Sequence, residues 1–246
     1  MANYQVAPPP KTFYERPDMQ TLITKRTILL QLAALVLTAV VLGIWPQIDV
    51  EAARLFVRSD KLFYGVSPTG YLLRSIFYAL PLVLGGGILL IWLAARWHAP
   101  KWPVPSSRAI GFMLISLALG PGLLVNGILK EVSHRPRPFH VKEVNPYGTW
   151  DFRPWYRFDG QCQSNCSFVS GEASASMWTL APALVAPAPV RALAIGASIL
   201  LTVATSVWRM ALGGHFLSDV LMGALLTSLT VSLLYMAMFR RNGAKE

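Results

Sequence analysis

The sequence predicts an all-α integral membrane protein, a bundle of six transmembrane helices. Of its 246 residues, 54% are hydrophobic and only 14% are charged, whereas an average soluble domain carries roughly 25% charged residues. The apolar residues are gathered into runs long enough to cross the ~30 Å hydrocarbon layer. A net charge of +10 would indicate nucleic-acid binding in a soluble protein, but in so apolar a chain we interpret it as cations flanking membrane spans. We therefore predict no nucleic-acid partner.

Six spans follow a polar, basic arm at residues 1–26. The fourth is the weakest, because it contains Glu172 and Pro182, and we include it because an even number returns both termini to one side. A short basic tail, 240–246, ends the chain. The predicted spans are Thr27–Trp45, Leu72–Ala95, Ala109–Leu129, Ser170–Val185, Val190–Val207 and Phe216–Phe239.

This topology places the arm and the tail in the cytoplasm and an outer loop, about 131–169, on the opposite side. Lys and Arg are equally numerous on the two sides, so the positive-inside rule does not set the orientation until the outer cations are explained. We expect a multi-pass protein of the inner (plasma) membrane whose site faces the periplasm. Aromatic residues in the outer loop favour an interfacial belt over a base-stacking surface; they are Tyr147, Trp150, Phe152, Trp155, Tyr156 and Phe158.

Three polar segments fall at the outer ends of the spans. They are Lys130–Pro138 (KEVSHRPRP), Val169–Glu172 (VSGE) and Arg209–Asp219 (RMALGGHFLSD). Ionisable residues are costly at membrane depth, so their convergence on one layer indicates a functional site.

The residue types in these segments suit a phosphate-handling site. Lys130, Arg137 and Arg209 offer positive charge and donors for phosphoryl oxygens. Ser170 and Gly171 lie where a helix begins, which adds a hydroxyl and unpaired backbone N–H groups. No group of His, Asp and Glu has metal-ligand spacing, so we expect cations in place of a metal and no cofactor.

The third segment also contains a nucleophile. His215 and Asp219 lie four residues apart, which puts both on one face of a helix. In that arrangement the carboxylate can fix the imidazole tautomer and leave the other ring nitrogen free to attack.

These segments resemble the three-part signature of the type 2 phosphatidic acid phosphatase (PAP2) superfamily, from the third span to the sixth. The resemblance implies metal-independent hydrolysis of a phosphomonoester or pyrophosphate through a phosphohistidine. His215 attacks phosphorus and Asp219 orients it. The phosphoryl oxygens are held by Lys130, Arg137, Ser170, Gly171 and Arg209.

The second motif departs from the pattern of this superfamily. It is normally Pro-Ser-Gly-His, whose histidine protonates the leaving oxygen, and here it reads Val169-Ser170-Gly171-Glu172. Glu172 is therefore the candidate general acid, with His134 and His140 as possible substitutes. Arg135 duplicates the Arg-Pro pair two residues early, and we interpret it as a loop cation near the phosphate.

Cys162 and Cys166 flank three residues just before the second motif. In an oxidising compartment they can pair in a disulfide that steadies the approach to Ser170. Metal binding would need further ligands that are not nearby, so we favour the disulfide.

Taken together, the sequence predicts an integral membrane lipid phosphatase. Acyl chains can stay in the bilayer while the headgroup reaches the cations, so the expected partners are a lipid phosphate and the surrounding membrane lipids. The altered motif and the outer loop favour a cell-envelope glycolipid such as lipid A. Two alternatives stay open: a lipid phosphotransferase with the same intermediate, and a non-catalytic lipid-binding or transport protein. The sequence predicts no oligomeric state.

Overall fold

The computed structural model of the protein describes residues 22–97 and 104–239. Most of the predicted arm and all of the predicted tail lie outside the described residues. The regular secondary structure of the described part is helical, with no strand beyond two isolated bridges. The helices are α1 (Lys25–Ile44), α2 (Gln47–Arg54), α3 (Pro68–Ala94), α4 (Ser107–Val132), α5 (Gly171–Trp178), α6 (Leu180–Leu184), α7 (Ala188–Ala211) and α8 (Leu217–Phe239).

Five of these helices are long and apolar enough to cross a membrane: α1, α3, α4, α7 and α8. Each lies within a few residues of a predicted span. Their outer faces leave large apolar side chains exposed, for example Leu37 on α1 and Val83 on α3, as a helix in contact with lipid requires. The prediction of an all-α membrane bundle is confirmed.

The prediction of six full-length spans is not confirmed. The fourth predicted span, Ser170–Val185, consists of the two short helices α5 and α6, which meet at Thr179. The pair nevertheless carries the chain across the bundle. Ser170 donates its backbone N–H to the carbonyl of Asp219 at one end, while Val185 belongs to the same hydrophobic cluster as Ile23 and Phe239 at the other.

Hydroxyl groups explain why so weakly apolar a segment is buried at the centre of the bundle. Ser174 bonds Thr227 of α8 at 2.6 Å. Thr179 donates to Ser198 of α7 at 2.8 Å. Such side-chain hydrogen bonds between helices satisfy polar groups that hydrocarbon cannot. Because α5 and α6 face protein rather than lipid, they need neither the length nor the hydropathy of a span.

Helix starts follow local sequence signals. The side chains of Thr24, Ser67, Ser106 and Ser170 each accept a backbone N–H of the first turn, which satisfies donors that a helix start leaves free. The second half of α4, Ala118–Leu129, is wound as a π-helix. Pro121 lies within it, and Asn126 donates its side-chain amide to the Pro121 carbonyl at 2.6 Å.

The segment between α4 and α5 and the short helix α2 cover one end of the bundle. Phe152 packs edge-on against Phe216, and Trp155 stacks on Phe168. These two aromatic residues of the predicted interfacial belt are therefore packing residues of the cover. Tyr147 and Phe158 are at least half exposed. All the predicted site segments meet beneath this cover.

Candidate active site

A cavity of about 1110 Å³ lies between α3 and α4, beneath the cover. One end is cationic, and its lining includes Arg74, Lys130, Arg137 and Arg209 together with His215. The other end is apolar and is lined by Tyr78, Leu82, Leu117, Ala118 and Pro121. The cavity thus offers an anion site and an apolar groove in one continuous space.

His215 is buried with 1% of its surface exposed, and it lines the cationic end of the cavity. Its Nδ1 lies 2.8 Å from the backbone carbonyl of Ser167. A carbonyl only accepts, so Nδ1 carries the proton and Nε2 keeps its lone pair. Burial lowers the pKa of His215 to about 3; Asp219 opposes this shift, whereas the cations of Arg209 and Arg137 add to it. The ring is therefore neutral and able to act as a nucleophile.

Asp219 does not bond His215 directly, in contrast to the predicted pairing. Its Oδ2 lies 3.7 Å from His215 Nδ1. The same oxygen accepts from the Ser167 hydroxyl at 2.5 Å and from the Phe216 backbone N–H at 2.8 Å. Ser167 therefore stands between the two residues: its hydroxyl binds the carboxylate, and its carbonyl holds the imidazole.

Arg135 belongs to the outer loop, as predicted, but it does not line the cavity and so does not reach the expected phosphate site. It is fully buried, and it donates to Asp219 Oδ1 at 2.5 Å and to Asp49 Oδ2 at 2.7 Å. Burial lowers its pKa, but attraction to the two carboxylates outweighs burial and raises it. The sequence-based interpretation was wrong because spacing alone cannot reveal a second carboxylate contributed by α2.

Asp49 completes this buried network from α2. It accepts the backbone N–H of Ser218 at 2.8 Å and the Ser218 hydroxyl at 2.6 Å. Ser218 lies in the first turn of α8, one residue before Asp219. The network therefore joins α2, the outer loop and the start of α8 directly behind the nucleophile.

Lys130 and Arg137 lie side by side at the cationic end and share one partner. Lys130 Nζ donates to Asn165 Oδ1 at 3.1 Å. Arg137 Nη2 donates to the same oxygen at 3.1 Å and to the Asn165 backbone carbonyl at 2.8 Å. Neither cation has a carboxylate within ion-pair distance in the part of the chain that is described, so their charge is not neutralised.

Glu172 lies in the first turn of α5, between two arginines. Its Oε1 accepts from Arg74 Nε at 3.0 Å and Nη2 at 2.9 Å. Its Oε2 is 3.2 Å from Arg209 Nε. Guanidinium groups are donors only, so both carboxylate oxygens face groups that can give but not take a proton. This geometry favours an ion-pair role over proton transfer.

Ser170 and Gly171 of the second motif do not bring a side chain into the cavity. The hydroxyl of Ser170 caps α5 by accepting the Ala173 N–H, and Ser170 is absent from the cavity lining. Gly171 does line the cavity. A Cβ at this position would lie 2.7 Å from Asn126 Oδ1 and 3.2 Å from Lys130 Nζ, so glycine permits Lys130 to approach the helix start.

Two predicted substitutes for the general acid stay outside the cavity. His134 Nδ1 is bound to the Cys162 carbonyl at 2.9 Å. His140 packs against the rings of Phe139 and Trp150. Neither lines the cavity. Among the described residues there is also no group of three His, Cys, Asp or Glu side chains placed to hold a metal ion.

Cys162 and Cys166 form a disulfide, with Cα atoms 5.7 Å apart. Both residues are buried. The ring that they close contains Asn165, the shared partner of the two cations.

This arrangement of a buried histidine, its carboxylate and clustered cations can be compared with known proteins. The sequence profile of the PAP2 superfamily matches residues 109–243, which include every predicted catalytic and phosphate-binding residue. The chain belongs to the PAP2 superfamily. The family prediction from the three motifs is thereby confirmed.

Relatives of this PAP2 protein include lipid A 4'-phosphatases. The protein of that name from Francisella tularensis subsp. novicida (strain U112) is 30% identical over 207 residues, covering 80% of this chain and 89% of the relative. The protein of that name from Rhizobium leguminosarum is 34% identical over 155 residues, covering 62% of this chain and 65% of the relative.

A solved structure shares the fold of this PAP2 protein. It is described as the first transmembrane PAP2 type phosphatidylglycerolphosphate phosphatase from Bacillus subtilis. The TM-score is 0.56 at 20% sequence identity, over 84% of this chain and 93% of the other. At that sequence identity the similarity supports a shared fold and nothing more.

Four contributors to the site of this PAP2 protein were missed by sequence reasoning: Asp49, Arg74, Asn165 and Ser167. Arg74 had a signal, since it is a charge inside an otherwise apolar span and such residues are costly. Asp49, Asn165 and Ser167 had none. They act through contacts with residues 28 to 169 positions away, and no local pattern reports such contacts.

Proposed function

We propose that this protein is a membrane phosphatase that removes the 4'-phosphate of lipid A, through a phosphohistidine on His215 and without a metal. One observation carries the proposal: a neutral, buried imidazole, with Nδ1 held by Ser167, borders a cavity lined by the cations Lys130, Arg137 and Arg209. Membership of the PAP2 superfamily and the lipid A 4'-phosphatase relatives support a membrane lipid phosphatase.

The reaction begins when the three cations and the backbone at Gly171 bind the phosphoryl oxygens. Nε2 of His215 attacks phosphorus, the bond to the sugar oxygen breaks, and the leaving oxygen takes up a proton from solvent water. The positive charge that develops on the imidazole is stabilised by Asp219, 3.7 Å away. Water then cleaves the phosphorus–nitrogen bond, which releases inorganic phosphate and restores the neutral ring.

The acid role of Glu172 stays a prediction, and the geometry favours another role. Bound by Arg74 and 3.2 Å from Arg209, Glu172 is well placed to hold both arginines at the cationic end. We assign it to positioning these cations.

The shape of the cavity supports a lipid substrate. Its cationic end continues into the apolar lining of α3 and α4, two helices with exposed apolar faces. A phosphate on a polar headgroup can reach the cations while acyl chains occupy the groove and the surrounding bilayer.

We further propose that the cationic end faces the periplasm across the inner membrane, with both termini in the cytoplasm. Ile23, just before α1, and Phe239, the last residue of α8, belong to one hydrophobic cluster, and the basic arm and tail continue the sequence from these two ends. A green fluorescent protein fused after residue 246 should fluoresce in cells, whereas a periplasmic alkaline phosphatase fused there should be inactive. The reverse pattern would overturn the orientation.

The test of function is phosphate release by detergent-purified protein from a panel of lipid phosphates. Lipid A should be the preferred substrate, with product mass spectra locating the loss at the 4' position. The panel also contains phosphatidic acid, phosphatidylglycerol phosphate and undecaprenyl pyrophosphate. Activity should survive EDTA and be absent from His215→Ala. Inactivity on every lipid would contradict the proposal, and phosphate transferred to a second lipid instead of released would identify a phosphotransferase.

A further inference from the structure

In the part of the chain that the structure describes, the ring closed by Cys162 and Cys166 is hydrogen-bonded to the cation cluster through Asn165. Asn165 binds Lys130 through its side-chain oxygen and Arg137 through both that oxygen and its backbone carbonyl. Asn165 is therefore the direct link between the ring and two of the phosphate-binding cations.

Both ends of the ring are anchored to the segment that carries Arg137. The backbone N–H of Cys162 donates to the His134 carbonyl at 3.2 Å, and His134 Nδ1 donates back to the Cys162 carbonyl at 2.9 Å. On the other side, the Ser167 N–H donates to the Arg135 carbonyl at 2.9 Å. The ring and the first motif are thus held as one unit.

Asn165 occupies the left-handed region of backbone space, with φ of +49°. Asparagine is among the few residues that adopt this conformation readily. The conformation lets the backbone carbonyl and the side-chain oxygen of one residue serve the same guanidinium. Glycine and aspartate also tolerate it, which makes them suitable replacements for a test.

The neutrality of the asparagine amide is the important chemical property. Lys130 and Arg137 are like charges close together, so an acceptor between them stabilises the pair. A carboxylate there would neutralise them and compete with an anion, whereas an amide oxygen orients them and leaves their charge for the phosphoryl group.

We propose that the Cys162–Cys166 ring is a positioning element of the phosphate site and that it acts through Asn165. The inference rests on the proposed function, because it assigns the two cations to a phosphoryl group. In this arrangement the disulfide holds the ring, the ring holds Asn165, and Asn165 holds Lys130 and Arg137 side by side.

The test compares two replacements that keep the backbone conformation. Asn165→Gly should raise the inhibition constant for inorganic phosphate about tenfold, as expected for the loss of a hydrogen bond to a charged group. Asn165→Asp should raise it further, because its carboxylate competes with phosphate. In both variants KM for the lipid should rise more than kcat falls. Ser164→Ala, an exposed neighbour in the same ring, is the matched control and should behave as wild type.

The role of the disulfide is tested by the double variant Cys162→Ser, Cys166→Ser. It should match Asn165→Gly, and adding Asn165→Gly to it should cause no further loss, because two changes on one path are not additive. Wild-type inhibition constants in both Asn165 variants would overturn the proposal, as would Asn165→Asp binding phosphate better than Asn165→Gly. The two Asn165 variants test the proposal even if the double cysteine-to-serine variant does not fold. An inactive wild type would instead refute the proposed function.

Discussion

The hydrogen bond from His215 to the Ser167 carbonyl determines which ring nitrogen can attack. In the expected arrangement a carboxylate fixes the tautomer, but here a backbone carbonyl does so at 2.8 Å and the carboxylate acts through the Ser167 hydroxyl. A backbone acceptor is neutral and cannot be lost by protonation. The nucleophile is therefore held in the same tautomer whatever the charge of Asp219.

The lowered pKa of His215 leads to the first prediction. With a pKa of about 3 in the folded protein, the ring should stay neutral as the pH falls from 7 to 5, where an ordinary histidine with a pKa near ~6.5 becomes charged. The unfolded chain takes up that proton, so the contribution of His215 to stability decreases as the pH falls below about 6.5. Nitrogen NMR of histidine-labelled protein, assigned with His215→Gln, measures the titration. A midpoint near 6 would contradict the burial seen here.

Glu172→Gln separates the positioning role from the acid role. The amide keeps an acceptor oxygen but loses the charge that binds Arg74 and Arg209, so we expect KM to rise several-fold and kcat to fall less. The shape of the pH–rate profile should not change. If Glu172 is the general acid, kcat should fall about 10²-fold or more and the limb of the profile that reports the acid should disappear.

The short helix α2 is a structural part of the site although it lies far from the motifs in sequence. Asp49 reaches from α2 to Arg135 and Ser218, and this network fixes the first turn of α8 behind Asp219. The network also ties α2 to the outer loop. The position of His215 thus depends on three elements that meet at one buried arginine.

Asp49→Asn should weaken this junction. The change removes one of the two carboxylates that bind buried Arg135 and weakens hydrogen bonds to a charged group, which are worth about 1.5–3 kcal/mol each. We therefore expect a lower midpoint of thermal unfolding and roughly a tenfold loss in kcat. The control is Glu51→Gln on the same helix, since Glu51 is exposed and pairs only with Arg54 among the described residues. Equal effects of the two changes would contradict a specific role for Asp49.

The long spans could be predicted from the sequence because hydropathy reports the lipid environment directly. The segment Ser170–Val185 was predicted as a span, but its division into two short helices was not. Because α5 and α6 face protein, their Ser and Thr residues bond α7 and α8, and they do not need the length of a lipid-spanning helix. Motif spacing likewise predicted that Lys130, Arg209 and His215 lie close together, and all three line one cavity. They could be predicted because each lies at or near the end of a long helix. The partners that hold them, Asn165 and Ser167, depend on the path of an outer loop that no periodic pattern encodes.

At the scale of the whole molecule, one cavity joins a cationic end to an apolar lining. The cavity passes from the cations to the apolar lining of α3 and α4 without interruption. An amphiphilic substrate can therefore remain partly in the bilayer during the reaction, and binding energy from the acyl chains can serve to position the phosphate.

Filling the apolar end of the cavity should weaken the binding of lipid substrates but not of water-soluble ones. Ala118→Trp places a large ring in the lining, so KM for a lipid phosphate should rise about tenfold while hydrolysis of a water-soluble phosphate ester stays unchanged. Leu119→Trp, on the same helix but partly exposed and absent from the lining, is the control. A matching loss with the soluble ester would indicate general distortion and not a lipid groove.

The most direct measurement of the central claim is the capture of the covalent intermediate. Wild-type protein mixed with lipid A carrying a radioactive 4'-phosphate and quenched in alkali should retain label, and the label should be lost in acid, as expected of a phosphorus–nitrogen bond. Peptide mapping should locate it at His215, and His215→Ala should retain none. Label that survives acid, label on another residue, or a wild-type enzyme that turns over with no trapped label would contradict the account.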